Sequence, residues 1–130
     1  MIVLDASVVL EVHLRTEASD RILARISKAE RHVHAPELLD VEVAQVLRHY
    51  ERSKSITAER DQSSLALLEV FPLDRHPHLP LLGRIWELQA NVTAYDACYL
   101  ALAEPLDETL LTCDRKLAIA PGHRARVELI

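Results

Sequence analysis

Ile2-Val3-Leu4-Asp5-Ala6-Ser7 is the stretch on which the fold turns. Three apolar residues, two of them β-branched, stand together and are closed by a carboxylate, the pattern of a short strand buried on both faces. Val33 to Ala35, stopped by Pro36, is a second strand of the same kind. Between them Ile22, Leu23 and Ile26 recur at helical spacing, with Arg21, Arg25 and Lys28 on the other side, so an amphipathic crossover helix joins the two.

The same alternation continues along the chain. Leu39, Val43, Val46, Leu47 and Tyr50 place a helix from Pro36 to about Arg52, with Pro36 in its first turn. Thr57 to Glu69 reads as a helix capped by Thr57, followed by a strand over Val70 to Leu73 and a loop over Asp74 to Pro80. Leu81 to Gln89 is helical again, Thr93 to Glu104 is a further helix, and Thr109 to Thr112 is a strand. A short helix over Asp114 to Ala120 and a strand over Val127 to Ile130 complete the chain. Strands separated by helices predict an α/β protein: a three-layer αβα sandwich whose mostly parallel central sheet is covered on both faces and joined by right-handed crossovers.

Composition limits what this fold could do. The 130 residues suit one domain, residues 1–130, and 49% hydrophobic content argues against disorder. No apolar run approaches a membrane span, and Met1-Ile2-Val3-Leu4-Asp5 has neither the basic flank nor the cleavage site of a secretory signal, so a cytoplasmic protein is expected. Cys98 and Cys113 lack CxxC spacing and sit in apolar segments, as reduced buried thiols do. Only two glycines occur, Gly83 and Gly122. Neither a P-loop nor a GxGxxG dinucleotide turn can be built from them. A net charge of -5 argues at first against nucleic acid, unless clustered acids bind cations.

Four acids have the placement for such a cluster. Asp5 follows the first strand directly and Asp114 lies two residues after Thr112, and ligands of parallel sheets bind beyond these carboxyl ends. Asp96 and Glu42 come from helices that follow strands or loops, so the first turns of those helices could face the same crevice. Glu42 borders the apolar stripe of its helix, a costly place for an unpartnered carboxylate. Asp40, at the opposite border, reads as a solvated surface acid. Each acid has a plainer reading as well: Asp96 completes a capping box with Thr93, while Asp114 and Asp5 suit helix N-caps. Two unit charges about 4 Å apart repel by roughly 4 kcal/mol at an effective dielectric of 20, so four carboxylates can share a site only around a cation. Oxygen donors alone favour Mg²⁺, with Mn²⁺ able to replace it, over Zn²⁺. A carboxylate-held Mg²⁺ binds phosphate oxygens, which points to metal-assisted hydrolysis of a phosphodiester.

Ile2-Val3-Leu4-Asp5-Ala6-Ser7, Pro36-Glu37-Leu38-Leu39-Asp40-Val41-Glu42-Val43, Thr93-Ala94-Tyr95-Asp96-Ala97 and Leu110-Leu111-Thr112-Cys113-Asp114-Arg115-Lys116-Leu117-Ala118 resemble, in order, the four acidic motifs of PIN-domain ribonucleases, in particular VapC-type toxins of bacterial toxin-antitoxin pairs. The resemblance runs to about Ala120. It implies a PIN-like fold, a Mg²⁺-dependent endoribonuclease acting on RNA, a cognate antitoxin and a homodimer, with no membrane involvement. Asp5 and Asp96 would be the principal metal ligands, with Glu42 and Asp114 completing the pocket, and Thr112 and Ser7 match hydroxyl residues that orient carboxylates. In that mechanism an activated water attacks phosphorus in line and leaves 5′-phosphate products.

Two alternatives stand beside this reading. A HAD-like phosphatase also begins with a strand ending in Asp but needs a second Asp two residues on, where this chain has Ser7. A non-catalytic PIN-like binding module would keep the acids as caps alone. Outside the acids, His76 and His78 read as exposed loop residues, and Arg48, His49, Arg52 and Lys54 as cations at a helix C-terminus. Trp86, Tyr95 and Tyr99 are aromatic side chains suited to packing, or to stacking on bases.

Overall fold

Strand β1 (Ile2–Leu4) lies at the centre of a five-stranded sheet, between β2 (Val33–Pro36) and β4 (Thr109–Thr112), while β3 (Asp74–His76) and β5 (Arg126–Leu129) form the edges. The computed structural model describes residues 1–29 and 32–130. All four strand pairs are parallel, with Val3 facing His34 on one side and Leu110 on the other. The mostly parallel sheet expected from the alternation is wholly parallel.

Ile2, Val3 and Leu4 are all fully buried, as are Leu110 and Leu111. Successive strand residues point to opposite faces, so both faces of the sheet are covered. Helix α6 (Ala94–Leu106) lies across β2, β1 and β4 and carries α5 (Leu82–Glu87) with it. Every residue from Ala97 to Ala103 is buried, the signature of a helix enclosed on all sides. Against the remaining surface pack α1 (Ala6–His13), which meets β4, and α3 (Leu38–Arg52), which meets β2. The helices α2 (Ser19–Ser27) and α4 (Ala58–Val70) join that second layer by packing on α1 and α3. A short α7 (Arg115–Ala118) links β4 to β5.

Several local expectations need correction. The connection from β1 to β2 holds two helices, α1 and α2, and in the second Ile22 is buried while Leu23 is 41% exposed. Pro36 does not open α3; it ends β2, opposite His76, where its missing N–H costs nothing. Val70 to Leu73 is not a strand, because α4 runs on to Val70, which is 75% exposed. The strand lies instead in the segment read as a loop, at Asp74-Arg75-His76, and the Glu37 N–H donates to the His76 carbonyl at 2.9 Å. Asp40 is not simply solvated, since Arg75 of β3 donates to both of its oxygens at 2.7 and 3.0 Å. That pair ties the edge strand to α3. Thr57 caps α4 as expected, accepting from the Arg60 amide.

One ion pair fixes the α5 and α6 pair. Arg84 donates to both oxygens of Glu104, at 2.8 and 2.9 Å, and the Arg124 amide donates to the same carboxylate. The guanidinium holds Glu104 at about 2, down from 4.5. Because the folded value is depressed, this contribution is complete above pH 4.5 and disappears as pH falls towards 2. Once solvent screening is allowed for, it is worth on the order of 2 kcal/mol. Glu104→Gln should therefore flatten the fall in stability between those pH values, as followed by urea unfolding; an unchanged acid limb would remove this pair from the account.

Candidate functional site

Strand order sets the location. From β1 the chain builds outward through β2 and β3 on one side, then returns to build β4 and β5 on the other. The reversal leaves a crevice beyond the carboxyl ends of β1 and β4, the place where open parallel sheets bind ligands. Asp5 is the residue after β1 and Thr112 the last of β4.

Asp5 is 5% exposed and is held from three directions. Ser7 Oγ donates to Oδ1 at 2.5 Å, the Val8 amide donates to the same oxygen at 3.2 Å, and Thr112 Oγ1 donates to Oδ2 at 2.5 Å. The cap reading and the site reading of Asp5 are thus both satisfied by one carboxylate, which caps α1 and bridges to β4. Ser7 Oγ also accepts from the Cys113 amide, and Thr112 Oγ1 from the Asp114 amide. These two hydroxyls lock the loop after β4 onto the start of α1.

The other three acids are half-buried around this point. Glu42 projects from the second turn of α3 and accepts a hydrogen bond from the hydroxyl of Tyr99, a buried residue of α6. Asp96 lies in the first turn of α6, where Thr93 Oγ1 accepts from its amide at 3.1 Å, one half of the expected capping box. Asp114 caps α7 by accepting from the Lys116 amide at 2.8 Å. A cleft of about 430 Å³ beside Asp96, the one acid of the four that lines it, is also edged by Asn91, Thr93 and Lys116.

Electrostatics tie the four together. Burial raises Asp5 above the usual carboxylate range, opposed by the bonds from Ser7 and Thr112. Glu42 is raised by burial first and then by the charges of Asp96 and Asp5. Asp96 is raised by burial, with Asp114 adding to it. Glu42 and Asp96 thus each feel a neighbouring acid, and among the described residues none of the four has a Lys, Arg or His ion pair. Such a set lacks a counter-charge. Its donors are carboxylate and hydroxyl oxygens. Among the described residues no three His, Cys, Asp or Glu side chains form a ready-made metal cage.

Tyr99 has a role that reading the sequence missed. It packs in the core as expected, and its hydroxyl also orients Glu42, a contact between two helices that no local pattern signals. Trp86 and Tyr95, by contrast, are exposed. His76, expected in an exposed loop, belongs to β3 and lies 3.0 Å from His34 Nδ1. Cys98 and Cys113 are free thiols, and burial pushes Cys98 up to about 11, which leaves it inert.

The PIN-domain family model matches residues 2–122. The chain is 40% identical to ribonuclease VapC1 of Mycobacterium tuberculosis over 129 residues, covering 98% of this chain and 96% of that protein. It is 38% identical to ribonuclease VapC12 of the same organism over 133 residues, covering 100% and 99%. Among solved structures, VapBC2 from Rickettsia felis bound to a DNA fragment from their promoter superposes with a TM-score of 0.73 at 16% identity, over 99% of this chain and 98% of that one. FitAcB from Neisseria gonorrhoeae gives 0.67 at 17% identity, over 90% of each chain.

Proposed function

The chain belongs to the PIN-domain family, and from that premise we propose that it is a Mg²⁺-dependent endoribonuclease, the toxin of a toxin-antitoxin pair. The observation that carries this reading is Asp5: a carboxylate buried at the switch point, fixed by Ser7 and Thr112, in a set of acids with no ion-pair partner among the described residues. The names of two relatives that match over nearly their whole length, both ribonucleases, support it.

The donor set fits Mg²⁺, which keeps several waters and takes one or two carboxylates plus substrate phosphates, so no preformed protein cage is required. Asp5 and Asp96 would be its principal ligands, with Glu42 and Asp114 acting directly or through water, and Mn²⁺ would serve in its place. When bound, the ion supplies a lowered water pKa and neutralises phosphate charge. This chain's own contribution is positional. Thr112 and Ser7 hold both oxygens of Asp5, Tyr99 fixes one oxygen of Glu42, and the N-terminus of α6 favours an ionised Asp96. Burial raises Asp5, Glu42 and Asp96, and neighbouring charges raise the last two further, so protons compete with the cation as the solution is acidified and activity should fall.

A cognate antitoxin protein and a second copy of the chain are the proposed partners, and likeness to the VapBC2 fold is in keeping with the first. Among the described residues no helix is long and apolar enough to cross a membrane. The test is cleavage of structured RNAs by the purified protein with Mg²⁺ and with EDTA. Cleavage with Mg²⁺ that EDTA abolishes is expected; equal cleavage in both, or none in either, sinks the enzyme reading and leaves the non-catalytic module.

A further inference from the structure

Away from the acidic crevice, at the other end of α1, the side chain of His13 is 5% exposed, and among the described residues neither ring nitrogen has a partner at full hydrogen-bond geometry, although the Ser64 backbone acts on the ring. Its ring is fixed edge-on against Phe71, with centroids 5.4 Å apart. Opposite it on α4, Ser64 is 1% exposed and its hydroxyl is likewise unpartnered. Both line one cavity of about 360 Å³ between α1 and α4. Unsatisfied buried polar groups cost about 1–3 kcal/mol each, so a cavity edged with them is built for something polar.

The rim shows which charge it takes. Arg15 and Arg60 line the cavity, and among the described residues neither is paired with a carboxylate. Arg15 stands in the left-handed region, φ 53°, the turn that ends α1 and sets this side chain at the rim. Arg60 donates to the Leu14 carbonyl at 2.5 Å, which anchors its guanidinium there. Thr57, the N-cap of α4, completes the wall, so the positive end of a 13-residue helix also faces the cavity. Among the described residues Glu59 is the single acid of the lining; Asp61 lies against Glu51 of α3 and is not part of it. Two guanidiniums against one carboxylate leave the lining positive.

We propose that this cavity binds a phosphate group, with Arg15 and Arg60 supplying charge and His13 and Ser64 supplying buried hydrogen bonds. The group is either free inorganic phosphate or a backbone phosphate of a bound nucleic-acid strand. Along the axis of α1 the cavity is about 12 Å from Asp5, roughly two nucleotides of extended backbone, at 1.5 Å rise per residue.

Imidazole ¹H–¹⁵N spectra of the intact protein test this without any cleavage, so failure here and failure of the nuclease reading are separable. Titration with inorganic phosphate should shift the His13 ring signals saturably, while chloride at matched ionic strength should not. Arg15→Gln with Arg60→Gln, both at exposed positions, should weaken that response at least about tenfold in a protein that keeps its thermal midpoint. A 2′-O-methyl oligonucleotide that moves the same signals, and is displaced by phosphate, identifies the source as nucleic acid; no response to it identifies the free ion. His13 signals that stay still in phosphate, that respond equally to chloride, or that respond alike in the double variant overturn the proposal.

Discussion

Asp5→Asn removes RNA cleavage, by at least about a thousandfold, in a protein that stays folded. Asparagine keeps the shape and an oxygen for Ser7 and the Val8 amide, and its NH₂ replaces Oδ2 beside Thr112. The Thr112 hydroxyl already accepts one bond from the Asp114 amide and has a second lone pair, so it can turn from donor to acceptor. What is lost is the negative charge, which costs stability in so buried a place. Thermal unfolding in the absence of metal should therefore be unchanged or raised by a few degrees. A variant that cleaves at more than about a tenth of the wild-type rate would remove Asp5 from the centre of the mechanism.

Leu110→Ala and Leu111→Ala should each cost about 2–5 kcal/mol of folding stability, a large part of the 5–15 kcal/mol typical of a domain. Both side chains are fully buried although they point to opposite faces of β4. In a sheet solvated on one side, one of the two changes would be nearly silent. Chemical denaturation decides the matter: a cost below about 1 kcal/mol for either leucine would mean that its face is not covered by helices.

What could be read from the chain follows from burial. Ile2-Val3-Leu4 and Thr109-Leu110-Leu111-Thr112 are buried on both sides, so composition alone marks them as strands. Asp74-Arg75-His76 is an edge strand held by backbone pairing to β2 and by the Arg75 to Asp40 ion pair, neither of which leaves a local pattern. The apolar run at Val70 to Leu73 drew the strand towards itself, although Val70 belongs to an exposed helix end. At the crevice Asp5, Asp96 and Asp114 were legible because each follows a strand or opens a helix, positions fixed by topology, and Glu42 because it borders the apolar stripe of α3. The partners that hold them were less so: Tyr99 meets Glu42 across 57 residues, through packing that no spacing rule reports.

The Thr112 hydroxyl that grips Asp5 comes from 107 residues further along the chain, and β1 has no neighbour on that side until β4 exists. Pairings so distant form late and slowly, because loop closure must precede any reward. During synthesis the first strand therefore waits, half-paired, until the Thr109–Thr112 segment clears the ribosome. A nascent chain carries all of its early acids and no assembled crevice, so the hazard posed by a nuclease begins only once the Thr109–Thr112 segment has been made and paired.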